Sequence, residues 1–261
     1  MDLGLKGKVI AVTGGGSGIG EGITRACLAE GARVVILGRV TAAVRQLMEE
    51  VDQKGLPCEL VEMELADTRQ CRTAIDHILA KYGELFGLVN NAGTNDGIGL
   101  ENGTPERFME SLQQNLLHYY ALAQFALPLL KASVGAIVNI SSKVAMTGQG
   151  GTSAYAAAKG AQLALTREWA AELLPYGIRV NAVVPAEVMT PLYQTWLKTV
   201  GDPEKELSRI KSRIPLGHRM TTIEEIGALA AFLLSPTMSG HTTGQHLSAD
   251  GGYVHLDRAL T

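Results

Sequence analysis

The stretch Lys8-Val-Ile-Ala-Val-Thr13 followed by Gly14-Gly-Gly-Ser-Gly-Ile-Gly20 (KVIAVTGGGSGIG) decides how this chain folds. Its first six residues are a short, β-branched apolar run of strand type, and the next seven contain five glycines. A helical pattern then runs from Glu21 to Glu30 and stops at Gly31. Strand, glycine turn and helix in that order signal dinucleotide binding: the backbone can approach a pyrophosphate closely, and the helix N-terminus faces its negative charge. Gly14, Gly16, Ser17, Gly18, Ile19 and Gly20 are therefore candidate cofactor contacts.

Working outward, Arg33 to Leu37 reads as a second strand that ends in Gly38-Arg39. In folds of this kind an acidic side chain near this point takes the ribose hydroxyl of NAD, whereas an arginine accommodates the 2′-phosphate of NADP. Arg39 stands here and the acid does not, so NADP is expected to be accepted and favoured over NAD; the alternative is a solvated arginine at a strand end. Five further strands follow, at Pro57–Met63, Phe86–Val89, Gly135–Ile140, Ile178–Val184 and Gln245–Ser248. Between them lie helical patterns at Thr41–Lys54, Arg69–Tyr82, a long one from Pro105 (capped by Thr104) to about Lys131, Ser153–Leu174 and Thr222–Leu234. This cadence predicts an α/β chain: a three-layer, Rossmann-type, doubly wound parallel sheet of about seven strands covered on both faces. No linker or repeat divides it, so 1–261 is expected to be a single domain, with the polar helical pieces at about 190–212 as a small substrate lid.

Composition narrows the function. Of 261 residues 46% are apolar and 19% charged, the latter below the roughly 25% of an average soluble domain, which hints at surface buried against another subunit. A net charge of −3 with no basic stripe argues against a nucleic-acid partner, and no apolar run approaches the ~18 residues of a membrane span. Met1-Asp2-Leu3 leads straight into structured sequence without a secretory signal, so the cytoplasm is the expected location. Cys27, Cys58 and Cys71 have no metal-ligand spacing and read as reduced thiols; with no H-E-x-x-H pattern either, no metal is expected. There is no G-x-S-x-G elbow for a serine hydrolase.

Chemistry concentrates in Gly135–Lys159 (GAIVNISSKVAMTGQGGTSAYAAAK). A strand ends in Ser141-Ser142, a glycine-rich loop follows, and a helix opening at Thr152-Ser153 carries Tyr155 and Lys159 four residues apart, on one face. A free tyrosine titrates near pH ~10, and a cation beside it favours the phenolate needed for a general base. Ser142 is placed to donate to a substrate oxygen. The plain alternative is a chance Tyr/Lys pair and an ordinary loop serine.

With both motifs placed, the chain resembles the short-chain dehydrogenase/reductase family over essentially its whole length. The matching residues are Thr13–Gly20, Asn90-Asn91-Ala92-Gly93, Asn115, Ser142, Tyr155 and Lys159, Pro185 with Thr190, and Asp250-Gly251-Gly252. Ser142 stands 13 and Asn115 40 residues before Tyr155, as the family's spacing has it. The resemblance implies that Tyr155 is the general acid/base, that Lys159 lowers its pKa and holds the nicotinamide ribose, and that Ser142 polarises the reacting oxygen. It implies that Asn115 holds a water in a relay to Lys159. It further implies an adenine contact at Glu64, where the family commonly has Asp, with Leu65 beside it. Asn91, Ala92 and Gly93 fall on the cofactor side, Pro185 stands where the family's proline-glycine is replaced by proline-alanine, and Val188 and Thr190 fall where carboxamide and pyrophosphate are held.

A narrower likeness is to bacterial L-fucose dehydrogenases, carried by Asn91–Gly97, Lys159–Leu173, Pro185–Tyr193 and the tail Gly251–Leu260. It implies oxidation of the anomeric carbon of L-fucose or a related aldose to the lactone, using NADP or NAD. Asn95, Asp96, Lys143, Gln149 and Glu187, on loops after strand ends, are the expected sugar contacts; each could instead shape a turn, be solvated or pair with a surface charge. Trp196 is expected either to wall the pocket from the lid or to pack on a helix, and His118 to be a packed helix histidine. Within the same fold the alternatives are a 3-oxoacyl-[acyl-carrier-protein] reductase and a hydroxysteroid dehydrogenase; outside it, a catalytically silent redox sensor, which keeping both Tyr155 and Lys159 disfavours. Apolar and alanine residues on more than one face of the helices at 105–131 and 153–174 point to self-association, which the resemblance implies is a homotetramer.

Overall fold

The computed structural model describes residues 2–256. Seven strands, β1 (Val9–Thr13), β2 (Arg33–Gly38), β3 (Cys58–Glu62), β4 (Gly87–Asn90), β5 (Ala136–Ile140), β6 (Arg179–Pro185) and β7 (His246–Ala249), form one sheet in the order β3-β2-β1-β4-β5-β6-β7. Every neighbouring pair is parallel, and each strand lies within one residue of its expected bounds. The helices are α1 (Gly18–Ala29), α2 (Ala42–Gln53), α3 (Thr68–Tyr82), α4 (Pro105–Leu112), α5 (His118–Ser133), α6 (Ser153–Leu173), α7 (Pro191–Leu197), α8 (Pro203–Lys211) and α9 (Ile223–Leu234).

Alternation along the central strands builds two cores. Ile10, Val12, Val34, Ile36, Val89 and Val138 face α1, α2 and α9, while Val9, Ala11, Val35, Leu37, Leu88 and Ile137 face α3, α5 and α6. Strands buried on both faces read as unbroken apolar runs, which is why the sequence marks them so clearly. On the first face α1 and α9 cross backbone to backbone: a Cβ on Gly22 would lie 2.1 Å from the Ile223 carbonyl oxygen. Arg179, buried at the start of β6, donates to the Leu233 and Leu234 carbonyls at 2.6 and 2.9 Å and so caps the C-terminus of α9 with a charge of favourable sign.

Two differences from expectation stand out. The helix expected to run unbroken from Pro105 to Lys131 contains a π turn, Gln113–Leu117, between α4 and α5. At its centre Asn115 is fully buried, and its side chain is drawn out of the helix to accept from Thr94 N–H at 2.8 Å. Helix α1 starts at Gly18 rather than Glu21, because the end of the glycine loop itself winds into the first turn. The helical pieces expected at 190–212 are α7 and α8, capped by the Thr190 and Asp202 side chains. Of the tail Gly251–Leu260, residues 257–260 lie outside the described residues.

Strand order reverses between β1 and β4, so their C-terminal ends open the crevice where doubly wound sheets bind ligands.

Candidate active site

A cleft of about 570 Å³ lies over the C-terminal ends of the central strands. Every residue assigned above to the cofactor lines it: the glycine loop, Arg39, Glu64, Leu65, Asn91, Ala92, Gly93, Tyr155, Lys159, Pro185, Val188 and Thr190. Along the loop, Ser17 sits extended at the N-cap of α1 and its side chain makes no capping bond, which leaves the first-turn N–H groups open to an anion. Gly20 cannot carry a side chain, since a Cβ there would lie 2.1 Å from the Gly14 carbonyl oxygen. The loop is locked to the neighbouring strand by Thr13, whose buried hydroxyl accepts from Asn91 N–H at 2.8 Å and Ala92 N–H at 3.0 Å. Thr13 opens the glycine motif, but sequence reasoning gave it no role of its own; its one signal is a polar side chain closing an apolar strand.

Arg39 is exposed at the cleft edge, and no ion pair involves it among the described residues. A nicotinamide dinucleotide therefore fits what is present: an uncapped helix N-terminus and close-approach glycines for the pyrophosphate, and an unpaired guanidinium for a 2′-phosphate.

Ser142, Tyr155 and Lys159 meet at one end of this cleft. Ser142 caps a short 3₁₀ turn (Lys143–Ala145) after β5, and its hydroxyl is hydrogen-bonded to the Tyr155 phenol. Lys159 is 2% exposed, lies with its Nζ 5.5 Å from the Tyr155 ring centre, and donates to the Ile140 carbonyl at 2.8 Å. Electrostatically the pair departs from expectation. Burial pushes Tyr155 up to about 12, against the Ser142 hydrogen bond, and pulls Lys159 down to about 7. In the ligand-free protein burial thus weighs against the charged form of both groups.

Asn115 lies outside the cleft, one layer behind it. Its Oδ1 accepts from Thr94, its Nδ2 donates to the Ser111 carbonyl at 3.1 Å, and its own carbonyl accepts from Gln162 Nε2 at 2.8 Å. Asn115 and Lys159 flank Gly93, where an added Cβ would lie 3.0 Å from Asn115 Oδ1 and 3.6 Å from Lys159 Nζ. Tyr119, also missed from sequence, completes the seat of Lys159: fully buried, it donates to the Ile140 carbonyl at 3.1 Å, with its hydroxyl 3.5 Å from Lys159 Nζ. Its neighbour His118 is buried edge-on against the Tyr119 ring, 4.8 Å between centres, and burial beside Lys159 lowers its pKa to about 4.

None of the expected sugar contacts is among the residues that line the cleft. Asn95 and Asp96 shape a turn, accepting from the Gly97 and Ile98 N–H groups at 3.2 and 3.4 Å. Gln149 is exposed on its loop. Lys143 and Glu187 form a largely buried ion pair with each other. Trp196 is 43% exposed and packs edge-on against Tyr193, so it does not wall the cleft; Tyr193 and Leu192, one turn earlier on α7, do. Among the described residues no cluster of three or more His, Cys, Asp or Glu could hold a metal ion, the three cysteines are free, and no helix is long and apolar enough to cross a membrane.

Comparison with known proteins agrees with this geometry. The family described as Enoyl-(Acyl carrier protein) reductase matches residues 14–254. L-fucose dehydrogenase of Rattus norvegicus is 37% identical over 94% of this chain and 89% of its own length. At 35% identity, the 3-oxoacyl-[acyl-carrier-protein] reductase FabG of Thermotoga maritima covers 96% of this chain and 99% of itself. Among solved structures, Cj0485 dehydrogenase superposes with a TM-score of 0.94 at 46% identity, covering 100% of this chain and 99% of that one. L-sorbose reductase from Gluconobacter frateurii, solved with NADPH and L-sorbose, superposes with a TM-score of 0.92 at 25% identity, covering 98% and 100%.

Proposed function

The chain belongs to the short-chain dehydrogenase/reductase family of oxidoreductases acting on alcohol or carbonyl groups, and from that premise we propose that it oxidises L-fucose or a related aldose at the anomeric carbon to the lactone, with NADP or NAD. What carries the reading is the meeting of Ser142, Tyr155 and Lys159 at one end of a cleft lined by all the cofactor candidates. Bound there, the nicotinamide supplies the hydride acceptor. Gly14–Gly20 would hold its pyrophosphate, Arg39 a 2′-phosphate, Glu64 and Leu65 the adenine, and Asn91–Gly93 with Val188 and Thr190 the nicotinamide side. The unpaired Arg39 favours NADP.

In this mechanism the Ser142 hydroxyl holds the anomeric oxygen, and the Tyr155 phenol gives its own proton to neutral Lys159 as its oxygen takes the anomeric one. As the hydride leaves the anomeric carbon, that oxygen becomes the lactone carbonyl. Lys159, which at about 7 can take up a proton and release it near neutral pH, then passes it to a water held by Asn115. The α7–α8 segment at 190–212 serves as the substrate lid. Exposed Met109, Leu117 and Tyr120 on the α4–α5 side support a homotetramer, and we place the enzyme in the cytoplasm with no metal, nucleic-acid or membrane partner.

The Thermotoga relative favours one second reading, reduction of a 3-oxoacyl thioester. Following nicotinamide absorbance with NADP or NAD against L-fucose, D-arabinose, L-galactose, a short 3-oxoacyl thioester and a steroid separates the two. Turnover of at least one sugar is expected; silence with every sugar and activity on the thioester would replace the first reading by the second.

A further inference from the structure

We propose that Tyr193, clamped by the buried Lys143–Glu187 pair, is a specificity-determining residue that accepts a hydrogen bond from a hydroxyl of a small polyhydroxylated substrate. This rests on the sugar reading above. Glu187 lies two residues beyond β6 and is 8% exposed; Lys143 directly follows Ser142 and pairs with it. The Lys143 ammonium also lies 4.3 Å from the Tyr253 ring centre, so the pair joins the ends of β5 and β6 to the segment after β7. Taking two ions out of water costs several kcal/mol for each, so a pair held beside the cleft, and unused by the proton chemistry, is not explained by stability alone.

Its other contact supplies a reason. Glu187 accepts a hydrogen bond from the Tyr193 hydroxyl, and Tyr193 lines the same cleft as Ser142 and Tyr155. The ring packs edge-on against Trp196, 5.2 Å between centres, and the Tyr193 backbone N–H is tied to Thr190 Oγ1 at 3.2 Å. A phenol fixed at both ends, with its proton committed to a carboxylate, keeps acceptor lone pairs for a substrate O–H. An acyl chain or a steroid would leave them unanswered, and a site built to bond a hydroxyl rejects substrates lacking it far more strongly than an apolar wall does. Glu187 is then a positioning residue, and Lys143 is what holds Glu187.

The test is steady-state kinetics with saturating cofactor on the wild type, Tyr193→Phe, Glu187→Gln and the double variant, using the best sugar and its single-deoxy analogues. Tyr193→Phe should raise the sugar KM by about tenfold or more, the range for a hydrogen bond lost at a desolvated site. Its kcat should stay within about twofold and its cofactor Kd unchanged. One deoxy analogue, the one without the hydroxyl that Tyr193 reads, should show no further loss, and Glu187→Gln should add nothing to Tyr193→Phe. An unchanged KM, an equal penalty on every deoxy analogue, or a shift in cofactor Kd matching that in KM would overturn the assignment. A wild type that oxidises no sugar would instead sink the underlying reading before any variant is compared.

Discussion

Replacing Lys159 by Met should make the cofactor-free protein more stable at neutral pH while destroying its activity. Lys159 is 2% exposed, and burial brings its pKa from the ordinary 10.5 to about 7. Between those values the unfolded chain holds a proton that the folded chain has shed, so stability rises with pH, by up to about 1.4 kcal/mol per unit. From pH 7.0 to 9.5 the gain from this one group is about 3 kcal/mol, and at pH 7 the residue costs the fold about 4 kcal/mol. Methionine removes the titration and keeps the aliphatic stem; it gives up the hydrogen bond to Ile140, worth about 1 kcal/mol, but that carbonyl still accepts from Tyr119. Urea unfolding at fixed protein concentration, across that pH range, should show Lys159→Met ahead of wild type by about 1–3 kcal/mol at pH 7, the two converging as pH rises. Curves that run parallel, or a variant less stable at pH 7, would refute the view that desolvation governs this lysine.

Tyr155→Phe should lower kcat by at least about a thousandfold, the upper range for a lost acid/base, while cofactor titration by nicotinamide fluorescence stays near wild type. Arg39→Ala should raise the KM for NADP about tenfold or more and leave that for NAD nearly unchanged, since no ion pair involves the guanidinium among the described residues; equal effects on both would remove it from the phosphate site. Arg179→Met should cost about 2–4 kcal/mol in unfolding free energy, because the last carbonyls of α9 lose two charged donors inside the core, and a denaturant midpoint at the wild-type value would contradict the capping role.

Much of this architecture could be read from the chain because parallel strands buried on both faces leave apolar runs that glycine and proline punctuate, as at Val9–Thr13 and Ala136–Ile140. The cofactor candidates were legible for a related reason: a backbone that must come close to a ligand needs glycine, and the spacing from Gly14 to Gly20 records that need directly. The substrate end was not. Lys143 and Glu187 are 44 residues apart and meet only because β5 and β6 are neighbours, and neither side chain announces that its partner is the other. Tyr119 and Thr13 act through single hydroxyls inside apolar surroundings, where periodicity registers only bulk. Nor does a pattern of separate residues reveal the sign of the Lys159 shift, which depends on how completely the folded chain excludes water.

The five-residue turn at Gln113–Leu117 also sets an angular relation. Each α-helical residue advances about 100°, and a π turn accommodates one residue more per turn, so α4 and α5 differ in phase. Within the turn Asn115 accepts from Thr94 and donates back to Ser111; behind it, Tyr119 reaches the end of β5. A relative one residue shorter between Ser111 and Tyr119 could keep one of these engagements but not both, and would have to seat its lysine by some other means.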